Sequence, residues 1–421
     1  MVVQKRMLLY GFLVLQSISA QQPKTTLAPW EEGMMDIHHI NTGRGDATFL
    51  IFPDATTLLI DAGDMSETHA RTLSARNAPQ RPNASRTAPQ WIADYITQFH
   101  PKKDKGLDYA LITHYHDDHF GEWDPNRKVH PQGNYALTGI MEVGSLLPIG
   151  KLLDRGHVYP IDLKSAAARA HLKNDAYHPL PTLESYWKFV QYQQDANGLL
   201  HETLVAGADD QIKLVHAKGT YPNFNIRNIA VNGNIWTGEK NAYFSIFKDG
   251  DDPGENQLST AIKISYGTFD YFTGGDISGI DPFGGTDVDA VESQLAPVVG
   301  PVDVATLNHH GNRDSQNAFY VRTIRPRIWI QQNWSSDHPG EEVLRRITSQ
   351  KLYPGERDLF STEMLAANKE VIGEKLEQYN SWNGHILVRV YPSGDRYEIH
   401  ILNDRNKERE VLAKFGPYSS R

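Results

Sequence analysis

Histidine and aspartate are concentrated in one short run of this chain, Thr113-His-Tyr-His-Asp-Asp-His-Phe-Gly121. His114 and His116 stand two apart, so in extended backbone both imidazoles project to one side and can share a metal ion. Asp118 and His119 follow where the chain turns and can reach a second ion. A histidine-rich loop can instead be solvated or internally hydrogen-bonded, but four donors within six residues, directly after an apolar strand, favour metal. Two later runs, Phe272-Thr-Gly-Gly-Asp276 and Thr306-Leu-Asn-His-His-Gly311, place a carboxylate and two histidines at further strand ends. Such ends, if they meet, supply what a two-metal site needs, a bridging carboxylate included. Asp276 alone could equally cap a turn, and one of His309 and His310 is expected only to support the other. Asp61, in Ile60-Asp-Ala-Gly-Asp64, is either a turn former or a residue that orients a ligand histidine.

These donors need strands to carry them. Met35–Ile40, Ala47–Phe52 and Thr57–Asp61 read as strands, with a turn at Gly43-Arg-Gly45. Trp91, Ile92, Tyr95, Ile96 and Phe99 recur at helical spacing before an expected strand over Leu107–Thr113. A helix-like apolar stretch comes next over Leu137–Leu153, and an aromatic-rich one over Leu183–Tyr192. Further strands are expected at Gln211–His216, Ile226–Val231, Thr260–Tyr266, Phe269–Thr273, Val302–Leu307, Arg327–Gln331, His385–Tyr391 and Tyr397–Leu402. Helices are expected near Glu341–Thr348 and Thr362–Glu377. Two rounds of strands punctuated by helices predict an α/β fold in which a sheet sandwich is covered by helices.

The chain of 421 residues can bury a large core, and 39% hydrophobic with 22% charged residues excludes disorder as the default. Residues 1–20 read as an export signal: Lys5 and Arg6, an apolar run from Met7 to Leu15, then Ile18-Ser19-Ala20 before Gln21. The run is short for a spanning helix, so a secreted or periplasmic protein without stable membrane insertion is expected, an uncleaved anchor being the alternative. A flexible leader over 21–34 and one domain over 35–421 would follow, with an insertion at about 156–206. The chain has no cysteine, which removes disulfides and thiolate ligands together. Loss of Lys5 and Arg6 with the signal takes the net charge from −9 to −11, a sign that does not indicate nucleic acid as partner.

The chain resembles the metallo-β-lactamase superfamily, whose hallmark is His-x-His-x-Asp-His after a strand with a later Asp and a later His. It is most similar to the branch of the ComEC-like hydrolase domains and the bacterial phosphorylcholine esterases. The finer likeness rests on Asn41-Thr-Gly-Arg-Gly-Asp-Ala47, Leu59-Ile-Asp-Ala-Gly63, Asn256-Gln-Leu-Ser259, Gly274-Gly-Asp276, His309-His-Gly311 and His338-Pro339. The resemblance implies a four-layer αββα sandwich. It assigns His114 and His116 to one metal, Asp118 and His119 to the other, and Asp276 to both. His310 would complete the second set, and His309 would contact the substrate. Many relatives supply a further histidine to the first metal, yet His130, His157, His171, His178, His201 and His216 stand in no recognisable motif, and Asn256 occupies the corresponding place.

The resemblance further implies a hydrolase with two divalent ions, zinc suiting imidazole and carboxylate donors, with manganese or iron as alternatives. The attacking group would be a hydroxide held by the metals, oriented by Asp118, with His309 or His338 acting on the leaving side. For His338 a role in capping the helix after it competes. Phosphodiester or phosphorylated substrates are favoured over β-lactams. A lactonase or other esterase, or a secreted binding module without turnover, are the competing readings. Tyr186, Trp187, Phe189 and Tyr192 could form a substrate platform but at helical spacing read better as core. Arg71, Arg76, Arg81 and Arg86 could bind phosphate, a solvated loop being the plainer account.

Overall fold

Along the strands, successive side chains enter different cores. Leu50 and Phe52 belong to one buried cluster and Phe49 and Ile51 to a second. Likewise Ile328 and Ile330 face the first cluster and Trp329 a third. This period-two alternation with both faces apolar requires each sheet to be covered on both sides. The computed structural model describes residues 25–66, 68, 70–102, 105–174 and 179–421. The expected signal at 1–20 and His178 lie outside them.

Two nine-stranded mixed sheets pack face to face. The first runs Val411–Ser419, Arg396–Leu402, His385–Val390, Met35–His39, Thr48–Ile51, Thr57–Ile60, Leu107–Leu111, Ile149–Asp154 and Leu200–Thr203. The second runs Tyr379–Ser381, Asp358–Ser361, Ile328–Gln331, Val304–Thr306, Phe269–Thr273, Ala261–Tyr266, Phe224–Val231, Asn234–Trp236 and Tyr243–Ser245. Helices cover the outer faces, giving the expected αββα layering. Ala88–Phe99, Gly139–Leu146 and Pro179–Asn197 pack on the first sheet, and Val291–Val299, Ala318–Ile324 and Glu341–Ile347 on the second. Helix Ala88–Phe99 starts with a reciprocal cap between Thr87 and Gln90 and ends before Pro101. Among the described residues no helix is long and apolar enough to cross a membrane.

Three sequence expectations need correction. The apolar stretch Leu137–Leu153 is helix Gly139–Leu146 succeeded by strand Ile149–Asp154, divided at Pro148, which cannot continue a helix. Gln211–His216 is not a strand: the Val215 amide donates to Thr56 Oγ1 and the His216 amide to Asp54 Oδ2, side chains having replaced a ladder. The helix expected over Thr362–Glu377 is only Ala366–Ile372, because Gly373 turns left-handed at φ 65° before a short 3-10 segment. Within 156–206, helices Ala166–Asn174 and Pro179–Asn197 lead into strand Leu200–Thr203, which pairs in parallel with Ile149–Asp154. This region therefore includes a helical crossover between neighbouring parallel strands.

Candidate metal centre

The ends of four strands converge. Asp61 follows Thr57–Ile60, the His114–His119 run follows Leu107–Leu111, Asp276 follows Phe269–Thr273, and the His309-His310 pair follows Val304–Thr306. Chain turns at these ends are unusually tight. A Cβ on Gly45 or Gly63 would lie 2.2 or 2.1 Å from the Asp118 carbonyl oxygen, so only glycine lets both loops close on that backbone. The same approach brings Asp46 in, its amide donating to Asp118 O at 2.8 Å. His309 and His310 adopt φ of 47° and 54°, and Asp61 of 59°. Left-handed backbone costs a non-glycine residue about 1–2 kcal/mol. Around the histidines it is offset by the His309 amide donating to Gly275 O and by Gln331 Nε2 donating to His310 O at 2.8 Å.

Two donor groups result. Asp118, His119, Asp276 and His310 form one, and His114, His116 and Asp276 the other. Their ligand atoms lie within 4.8 Å of one another in each group, and every member except the half-buried His116 is buried. Asp276 belongs to both: Oδ1 lies 3.2 Å from His119 Nε2, and Oδ2 lies 3.6 Å from His114 Nε2 and 3.5 Å from His310 Nε2. His310 Nε2 is also 3.2 Å from Asp118 Oδ2.

The far nitrogens decide which way the imidazoles present their lone pairs. His119 Nδ1 meets Asp61 Oδ2 at 2.8 Å, while the same carboxylate accepts from the amide and hydroxyl of Thr113 at 2.8 and 2.7 Å. His310 Nδ1 sits 3.1 Å from Asp46 and 3.2 Å from Gln332 O. With Nδ1–H engaged behind each ring, Nε2 is left to accept. Both Nε2 atoms are buried and without a hydrogen-bond partner among the described residues. Orphaned acceptors aimed between carboxylates fit a divalent cation. In the other group His114 Nε2 and His116 Nδ1 lie 3.2 Å apart.

Burial opposes charge throughout the cluster. For Asp276 it is outweighed by His119, His310 and His114, which hold its carboxyl well below the usual range. Asp118 is lowered too, by His119 and His310 against burial. Asp61, where burial prevails over His119 and Thr113, is raised. His114 is lowered by burial and by the neighbouring His119.

The remaining sequence candidates fall around this core. His309 Nδ1 meets Asp314 Oδ1 at 2.7 Å, and its Nε2 lies 3.2 Å from Asn256 Nδ2. Asn256 thus stands beside His309, and its Oδ1 is buried without a hydrogen-bond partner among the described residues. His338 is buried with its ring 4.8 Å from that of His310, and Nδ1 lies 3.2 Å from Asn333 Oδ1. It does not cap the next helix, whose N-cap is Gly340. None of the other described histidines reaches either donor group: His130 stacks on Tyr135, and His157, His201 and His216 pair with Asp162, Asp154 and Asp108. Arg76 and Arg86 are largely or partly exposed and pair with Asp337 and Asp94, whereas Arg81 is buried against Glu363; the Arg71 side chain lies outside the described residues. Tyr186 and Phe189 are core residues, with Trp187 and Tyr192 packed at its margin.

Several supporting residues carried no assignment from sequence. Asp46 lies inside the glycine-rich run Asn41–Ala47. Glu255 accepts from the Tyr115 amide and binds Arg155 through both oxygens, at 2.7 and 2.6 Å, beside His116. Glu292, remote in sequence, accepts from Asn308 Nδ2 and from the amides of Gln316 and Asn317, each at 2.8 Å. Asp46 belongs to a motif and Glu255 directly precedes Asn256; beyond that, no local signal marks any of the three. Comparison of the chain with protein-family models and with curated proteins finds no match in either.

Proposed function

We propose that this chain is an exported metal-dependent hydrolase of the metallo-β-lactamase type that acts on phosphodiester or phosphorylated substrates. The reading rests above all on Asp276, one buried carboxylate that belongs to both donor groups, its Oδ1 beside His119 and its Oδ2 beside His114 and His310. His114, His116 and Asp276 would hold one divalent ion, and Asp118, His119, Asp276 and His310 the other. Zinc matches these donors best. Divalent ions bound at such a pair of sites polarise a substrate oxygen and lower the pKa of water in contact with them.

The rest of the work belongs to the chain. Asp61 fixes the His119 ring from behind, and the Gln332 carbonyl, with Asp46 close by, that of His310. Asp314 holds His309 through Nδ1, and Asp276 and Asp314 raise its pKa against burial, so that in the protonated ring Nε2, beside Asn256, can donate to a phosphoryl or carbonyl oxygen. His338 backs His310 and supports that ring in this reading.

The test is metal content and hydrolysis together. Protein purified with zinc should carry about two ions per chain and hydrolyse bis-p-nitrophenyl phosphate, and His116→Ala should lose an ion and the activity. A folded chain that takes up no ion sinks the proposal. Mass analysis of the exported product, expected to begin at Gln21, checks the compartment.

A further inference from the structure

A cavity of about 580 Å3 opens beside His116. One wall is the centre itself, through Tyr115, His116 and Glu255. The opposite wall comes from the crossover region, through Pro160, Ile161, Leu163, Ala168, Leu172 and Leu183. Within the lining, Arg155 is 1% exposed and matched by Glu255 in a two-bond ion pair, so the two cancel. Its guanidinium also covers the Tyr115 ring at 4.6 Å. Among the described lining residues, Asp251 and Asp252 are carboxylates with no ion pair, and His171 is the remaining titratable group. An anionic tail would meet repulsion there, whereas an uncharged apolar group loses water against leucine, isoleucine and proline. The size suits a ligand: sites for small molecules span about 300–1,000 Å3, and an apolar void of about 150 Å3 already accepts benzene.

We infer that this cavity is the subsite for an uncharged apolar substituent, alkyl or aryl, of the ester cleaved at the adjoining centre. The inference rests on the hydrolase reading for the reaction and on the cavity alone for the binding. The Ala166–Asn174 and Pro179–Asn197 helices then determine specificity without contributing a donor to the centre. Burying each further methylene should raise kcat/KM about three- to fourfold until the cavity is filled.

Two measurements test it on the zinc-loaded protein. A series of p-nitrophenyl alkylphosphonates from methyl to octyl gives the dependence on chain length. Fluorescence of N-phenyl-1-naphthylamine, an uncharged apolar probe, reports binding without turnover. The exposed Ala167 lines the mouth, so Ala167→Trp should fill it at little cost to folding, and Ile161→Asp should make it polar. Expected are a rise with chain length and saturable probe binding, both lost in either variant, while the methylphosphonate is cleaved as before. Hydrolysis with no gain along the series and no probe binding overturns the subsite and leaves the hydrolase reading intact. A gain that survives both substitutions also overturns it. Probe binding lost in both variants, with no ester hydrolysed, supports the cavity assignment and removes the hydrolase reading.

Discussion

The two donor groups share Asp276 but are built differently. The group containing Asp118, His119 and His310 is buried throughout, and two of its rings are braced from behind, His119 by Asp61 and His310 by the Gln332 carbonyl with Asp46 close by. The group containing His114 and His116 has three donors, one of them half-buried, and opens on the apolar cavity. Behind His114 stands a hydroxyl, Thr113 Oγ1, at 3.2 Å from Nδ1. A braced, four-donor cluster holds its cation through pre-oriented ligands, whereas a three-donor cluster leaves a coordination position for something else. The closed half is thus suited to anchoring and the open half to exchange.

The largest effect should come from the residue that both halves use. Asp276→Asn should reduce metal content below one ion per chain and lower bis-p-nitrophenyl phosphate hydrolysis on the order of 10³-fold or more. An unchanged metal content would break the comparison at its root.

Next is Glu292, which braces the loop carrying His309 and His310 from behind. Burial raises its carboxyl from 4.5 to about 7, against the Asn317 and Gln316 amides and the Asn308 side chain. The folded chain therefore keeps this proton at pH values where the unfolded chain has released it. The associated stability is fully present below pH 4.5 and is lost as pH rises to about 7, a loss on the order of 3 kcal/mol. Urea denaturation across this window should show the decline in the metal-free wild type and a flatter profile in Glu292→Gln.

Removing one brace should weaken the closed half without dismantling it. Asp61→Asn is expected to cost about 10- to 100-fold in metal affinity, measured by competition with a chromophoric chelator, with the helices intact by circular dichroism. The smallest effect is a contrast within the wild type. Increasing chelator should release the two ions in stages separated by about tenfold in concentration, the open half first. Release in one step would show that Asp276 couples the halves too tightly for their surroundings to matter.

Much of this was legible in the sequence because the relevant signals are local. Met35–His39, Thr48–Ile51, Thr57–Ile60 and Leu107–Leu111 carry apolar runs bounded by glycine and polar turns, and the structure starts or ends them within two residues of expectation. Asn234–Trp236 and the edge strand Tyr243–Ser245 are three residues each, too short to leave a periodicity, and no expectation covered them. Strand Val411–Ser419 alternates half-buried and exposed positions and gives only a faint apolar signal. Gln211–His216 misled because an apolar alternation says nothing about where backbone donors go, and here Thr56 and Asp54 take them.

Type and spacing by themselves determined the chemistry available. Imidazoles two residues apart with a carboxylate and a third imidazole beyond can do little else as well as hold cations, and that constraint is written into six consecutive residues. Only the tertiary structure decided the partition. Asp276 stands between two donor groups because strands from different sheets end at the same place, and Asn256 stands beside His309. It likewise decided that Glu255 and Arg155 cancel in the wall of a cavity. Such relations join residues 53 positions apart, as for Asn256 and His309, or 100 apart, as for Arg155 and Glu255, distances that the packing of the chain sets and no local pattern encodes.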